Sequence, residues 1–136
     1  AECLVGSEMC IRDSVNVDNG IEMLELVDKK YSIKKSGEKI IGKDKNKDMR
    51  QMIAIGVNNS KFVWTGKNTL DYKSSIVGND YVVAGNCLSS INVLKKTALY
   101  FENNRSIDFP FRLINSIIAG DKLVDTQKKF HIILKN

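Results

Sequence analysis

Between Met49 and Val57, the residues Met49, Gln51, Ile53, Ile55 and Val57 alternate with Arg50, Met52, Ala54 and Gly56, and both sets are largely apolar. Successive side chains of a strand point to opposite faces, so a strand built this way is stable only when both faces are covered. That requirement excludes a one-sided meander and calls for a layered α+β or α/β domain. A chain of 136 residues suffices for one such domain with a real core, and not for two of ordinary size. No apolar run approaches the roughly 18 residues of a membrane-spanning helix.

The formal charge of +5 invites a nucleic-acid partner, yet it comes from 17 Lys against 4 Arg. Phosphate and base recognition favour the bidentate fork of Arg. Lys, Asn and Ile are all frequent, which AT-rich codons produce whatever the function. Nucleic acid is therefore not the expected partner, although a small basic module docking an anion or nucleic acid through Lys43 to Lys47 stands as the alternative.

Residues 1–14, AECLVGSEMCIRDS, read as a segment apart. Residues 3–14 resemble a translation of the transposase adapter used in sequencing libraries, one frame of which gives Leu-Val-Gly-Ser-Glu-Met-Cys-Ile-Arg-Asp and then Ser or Arg. The expectation is an open reading frame that runs from adapter into a genomic or metagenomic read, with residues 1–14 outside the domain and 15–136 forming it. Setting them aside removes Cys3 and Cys10 and leaves Cys87 alone. One cysteine staples nothing, which fits a reducing, cytoplasmic compartment.

Asp18 or Asn19 is a candidate cap for a helix with Ile21, Met23, Leu24 and Val27 at helical spacing. Ser32 opens a second helix with Ile33, Ile40 and Ile41 inward, ended by Gly42. The strand from Met49 turns at Asn58 to Ser60 into a second, Lys61 to Thr65. Ile76 and Val77 lead through Gly78 to Asp80 into a third, Tyr81 to Ala84, broken by Gly85 and Asn86. Leu88, Ile91, Leu94, Leu99 and Phe101 read as helix. Phe111 to Ile118 read as another, ended by Gly120, and Phe130 to Leu134 as a closing strand. The predicted order is ααβββααβ, with the three central strands in one antiparallel sheet flanked by helices.

His131 is the sole histidine and sits in an apolar run, where a structural role is expected. One His and one remaining Cys make a metal site improbable, and no cofactor is expected. Cys87 reads as a small packed residue. The stretch richest in chemistry is Gly85 and Asn86, because backbone N–H groups at a strand end and an Asn amide all donate to an oxyanion. A plain turn is the competing reading.

These residues also carry a resemblance. From Val15 to about Gln127 the chain resembles the domain-of-unknown-function 1028 family, placed among N-terminal-nucleophile (Ntn) hydrolase-like folds. Val15, Asn16 and Gly20 are similar to its Val-Asn-Pro and Tyr-Gly stretch, and Met49 to Gln51 to its Tyr-Arg-Gln strand start. Trp64, Thr65 and Gly66 resemble its His/Phe-Thr-Gly. Gly85, Asn86 and Leu88 resemble its Gln-Gly-Asn-Met-Leu, and Gly120 to Lys122 its Gly-Gly-Asp-Lys/Arg. Val17, Thr69, Tyr72 and Cys87 depart from its Pro, Cys, Trp and Met.

The resemblance implies a piece of an Ntn-type αββα sandwich from an amide hydrolase. Such an enzyme attacks with its first mature residue and uses that residue's amine as base, so no His is needed. The family's strands ahead of Val15 have no counterpart here, which leaves the nucleophile missing and the piece inactive. Gly85, Asn86, Thr65 and Gly66 then supply an oxyanion donor or pocket wall for a small-molecule amide. Uncovered edges imply homo-oligomerisation, and a non-enzymatic scaffold on the same fold remains an alternative.

Overall fold

The structure is a computed structural model that describes residues 3–6, 16–121 and 130–134. Its elements are β1 (Cys3–Gly6), α1 (Val17–Asp28), α2 (Ile33–Lys43), a 3-10 turn (Lys47–Met49), β2 (Gln51–Gly56), β3 (Lys61–Thr65), β4 (Ser74–Val77), β5 (Tyr81–Gly85), α3 (Asn92–Asn103), α4 (Phe109–Asp121) and β6 (Phe130–Leu134). The strands form two three-stranded antiparallel sheets, β1-β2-β3 and β4-β5-β6, rather than the single sheet expected.

The alternation along β2 is why two sheets form. Met52 and Ala54 pair across the ladder with Trp64 and Phe62 and pack under Met23, Leu26, Ile33, Ile40 and Ile41 of α1 and α2. The odd set, Ile53 and Ile55 with Val63 opposite, packs instead against Val82 and Ala84 of β5. Along β5 the remaining residues, Tyr81 and Val83, turn to Val93, Leu94, Ala98 and Phe101 of α3. Three apolar layers thus separate a helix pair, a sheet, a second sheet and a second helix pair. Each fully buried Val, Leu or Ile contributes about 1.5–3 kcal/mol to this arrangement.

Local chemistry places the helices. Asn16 caps α1, its side chain accepting from the Asp18 N–H, so the cap falls ahead of the predicted Asp18 or Asn19. Ser32 caps α2 through the Lys35 N–H, as its type and spacing foretold. Gly37 faces the Phe62 ring so closely that an added methyl would collide with it, which lets α2 settle onto β3.

Several boundaries differ from the sequence reading. On α1 the buried apolar residues are Met23 and Leu26, while Ile21 and Leu24 face solvent, because the inward stripe follows Asn19, Met23 and Leu26. Gly42 lies inside α2, which ends at Lys43, and Gly120 lies inside α4. Leu88 and Ile91 precede α3 instead of opening it. β4 was read only as a lead-in, since Ser74 and Ser75 lack a strand's apolar signal, yet Ser75 pairs with Ala84 and Ile76 with Val83. β1 lies within the segment set apart on its translated sequence, and Leu4 pairs with Ile55. Pairing reports where the peptide sits and not what its codons were. No helix among the described residues is long and apolar enough to cross a membrane.

Candidate functional site at one end of the sheet interface

Gln51 opens β2 on the odd face, so its amide enters the layer between the sheets, where its neighbours along the strand are Ile53 and Ile55. A lone amide in an apolar layer needs partners. Its Nε2 shares two hydrogens among three acceptors, Thr65 Oγ1 at 3.0 Å, the Ser74 carbonyl at 3.3 Å and the Gly85 carbonyl at 3.2 Å. Its Oε1 accepts from Asn86 Nδ2 at 2.9 Å. One side chain thus ties β2 and β3 to β4 and β5.

Three of the four residues singled out from sequence, Thr65, Gly85 and Asn86, meet at this amide although they come from separate stretches of chain. Gly66 sits beside them but turns elsewhere. Its N–H donates to the Arg50 carbonyl at 2.8 Å, and a methyl there would strike the Lys47 and Asp48 carbonyls. What Gly66 provides is close passage of β3's exit over the 3-10 turn. Thr69 Oγ1 then donates to the Gly66 carbonyl at 2.8 Å and secures the loop that follows.

Beyond Asn86 the chain doubles back. The Cys87 N–H donates to the Leu70 carbonyl, and Leu88 and Tyr72 exchange backbone hydrogen bonds, so loop 70–72 braces residues 87–88. Cys87 takes φ of 56°, a left-handed conformation uncommon for a side chain with a Cβ. The thiol is free and only partly buried, so it is less packed than its apolar role in the sequence reading implied. His131 falls in β6 opposite Ala84, and its side chain lies outside the described residues.

Gln51 is the residue that sequence reasoning missed. Its signal is that it is the one amide in the otherwise apolar odd set of β2, where the sequence reading counts it only as part of a covered strand and its start. In the Lys43 to Lys47 segment, Lys43 pairs with Glu22, and the Lys47 carbonyl accepts from Trp64 Nε1 at 2.8 Å. Asp44 lies among these lysines with its carboxylate turned inward to Arg50 Nε at 3.0 Å and Asn19 Nδ2 at 2.9 Å. Among the described residues no group of three or more His, Cys, Asp or Glu is placed to hold a metal ion.

The fold and this polar interface end define a two-sheet α+β domain with helices on both outer faces. The sequence profile of the Family of unknown function (DUF1028) matches residues 7–125, and the chain belongs to that family. No curated protein matches it. A crystal structure of a DUF1028 protein from Silicibacter pomeroyi superposes with a TM-score of 0.76 at 19% identity, over 89% of this chain and 51% of that one. The present chain therefore spans about half the length of that relative, and the likeness is one of fold.

Proposed function

We propose that the polar end of the sheet interface is the carbonyl-facing wall of an amide-hydrolysing site of the Ntn type. The observation that supports this is the convergence of Thr65, Gly85 and Asn86 on the Gln51 amide. One Asn86 amide hydrogen is engaged by Gln51, and no hydrogen bond to its second or to Oδ1 is found among the described residues. A donor and an acceptor side by side complement the C=O and N–H of an amide, and a held donor stabilises the oxyanion formed when that carbonyl is attacked. No described residue serves as nucleophile in this reading. In the Ntn chemistry that the family resemblance implies, that role falls to the first residue of a mature chain, so the segment contributes walls and a donor.

The test uses a full-length family protein carrying this segment, assayed against a panel of small amides. Asn86→Ala is expected to lower kcat by about two to three orders of magnitude while leaving the fold intact. Unchanged kcat in a stably folded variant would place the oxyanion elsewhere and reduce Gly85-Asn86 to a turn.

A further inference from the structure

We infer that Gln51 acts as a positioning residue that fixes which way round the Asn86 amide faces. The step deepens the reading of Asn86 as a donor, and its test requires no turnover. Nε2 of Gln51 faces three oxygens, and two of them, the carbonyls of Ser74 and Gly85, can only accept. Turning the amide over would set Oε1 against both carbonyls, two partly buried acceptors opposed by a third. The carbonyls belong to paired strands and cannot rotate away, so the orientation of Gln51 is imposed by the β4–β5 ladder.

The consequence passes on to Asn86. With Nε2 committed to the carbonyls, Oε1 is the atom that Gln51 presents at 2.9 Å, and only a donor can face it. Asn86 must therefore turn its NH2 toward Gln51 and keep Oδ1 on the far side. A ligand meets a fixed pattern of one amide hydrogen and one acceptor, in place of two interchanging ones. Thr65 Oγ1 accepts from the same Nε2, a third oxygen around two amide hydrogens, which further commits the nitrogen to that side.

The direct test is scalar coupling through hydrogen bonds in the unmutated, isotope-labelled chain. Correlations from Asn86 Nδ2 to Gln51 Cδ and from Gln51 Nε2 to the Gly85 carbonyl carbon are expected. A correlation from Gln51 Nε2 to Asn86 Cγ, or two orientations in exchange, would overturn the inference. An independent arm reads the carboxyl titration of Asn86→Asp. An acceptor-only neighbour should raise that pKa by about one unit or more above the ordinary 3.9. Adding Gln51→Leu removes the opposing oxygen and should bring it back down, even though leucine is the less polar neighbour. Asp71 of the bracing loop and the adjoining Lys73, which pair with each other, are the same in both variants. A pKa that rises or stays put in the double variant means that Gln51 did not set an oxygen against position 86 and overturns the inference. If both arms succeed while Asn86→Ala keeps full kcat, the orientation stands and the catalytic reading falls.

Discussion

The two halves of the sandwich carry the same chemistry in different settings. In the half built from α1, α2 and the first sheet, Asp44 pairs with Arg50 Nε at 3.0 Å, and the two side chains are 6% and 11% exposed. In the other half, Asp80 meets Arg105 through both guanidinium arms, at 2.6 and 2.9 Å, with side chains 27% and 48% exposed. The shorter, bidentate pair is the one that water reaches. Asp44 binds Asn19 of α1 and the Asn46 N–H as well as Arg50, so one carboxylate joins two helices to the entry of β2. Asp80 and Arg105 join the β4–β5 turn to the loop after α3, and the Arg112 charge of α4 also acts on Asp80. Burial and the number of elements sharing a charge decide its effect, and bond length does not.

The strongest way to break this contrast is Asp44→Asn. Arg50 would stay buried without its counter-charge, and a loss of about 3 kcal/mol in chemical denaturation is expected. Burial pushes the Asp44 carboxyl up, while hydrogen bonds from Asn19, Asn46 and Arg50 together with the Arg50 charge outweigh it and hold the group below the ordinary carboxylate range. A depressed folded pKa supplies stability that is present above the unfolded value near 3.8 and lost as pH falls through the folded one. Acid unfolding should therefore be shallower in Asp44→Asn below about pH 4 than in the unmutated chain.

A smaller effect is expected on the opposite side of the pH range. Tyr81 donates to Glu102 Oε1 at 2.7 Å from a ring packed edge-on against Phe101 at 5.3 Å. Burial raises its pKa well above the usual phenol value, reinforced by the Glu102 hydrogen bond and by the charges of Glu102 and Asp80. A raised folded pKa means stability that is intact below about pH 10 and declines as pH climbs beyond it, since only the unfolded chain ionises readily there. Tyr81→Phe should lose about 1 kcal/mol at neutral pH and show a flatter decline in alkaline melts.

The smallest effect sharpens the comparison from the exposed side. Asp80 is held below the ordinary carboxylate range chiefly by its hydrogen bonds from Arg105, against some burial. Arg105→Gln should shift the melting curve only slightly at low ionic strength, and the difference should vanish in about 1 M salt, where screening reaches within about 3 Å. A salt-insensitive loss as large as that of Asp44→Asn would remove the distinction between the two halves.

Much of this architecture was legible because periodicity carried it. The double apolar alternation of β2 demanded cover on both faces, and Ser32 and the isoleucines of α2 fell where spacing put them. The number of sheets was not legible, because Ile53 and Val82 declare only that they are buried and not against which neighbour. The inward face of α1 is hidden for the same reason: Ile21, Met23, Leu24 and Leu26 are all apolar, and packing rather than composition selects among them. Thr65, Gly85 and Asn86 were marked by chemistry at strand ends. The amide that joins them was not, since a glutamine at a strand start looks like surface until the second sheet closes over it.

That amide has a further consequence for how the chain finds a single structure. A slip of one residue along β2 would exchange Met52 and Ala54 for Ile53 and Ile55, apolar for apolar, so hydrophobic burial is nearly indifferent to which side of the strand faces which layer. Gln51 removes the degeneracy. In the slipped arrangement its amide would point among Met23 and Ile40, away from the Thr65, Ser74, Gly85 and Asn86 atoms that now meet it, at about 1–3 kcal/mol for a buried polar group left unmet. The strand that could be read two ways by its carbon atoms is told apart by one nitrogen.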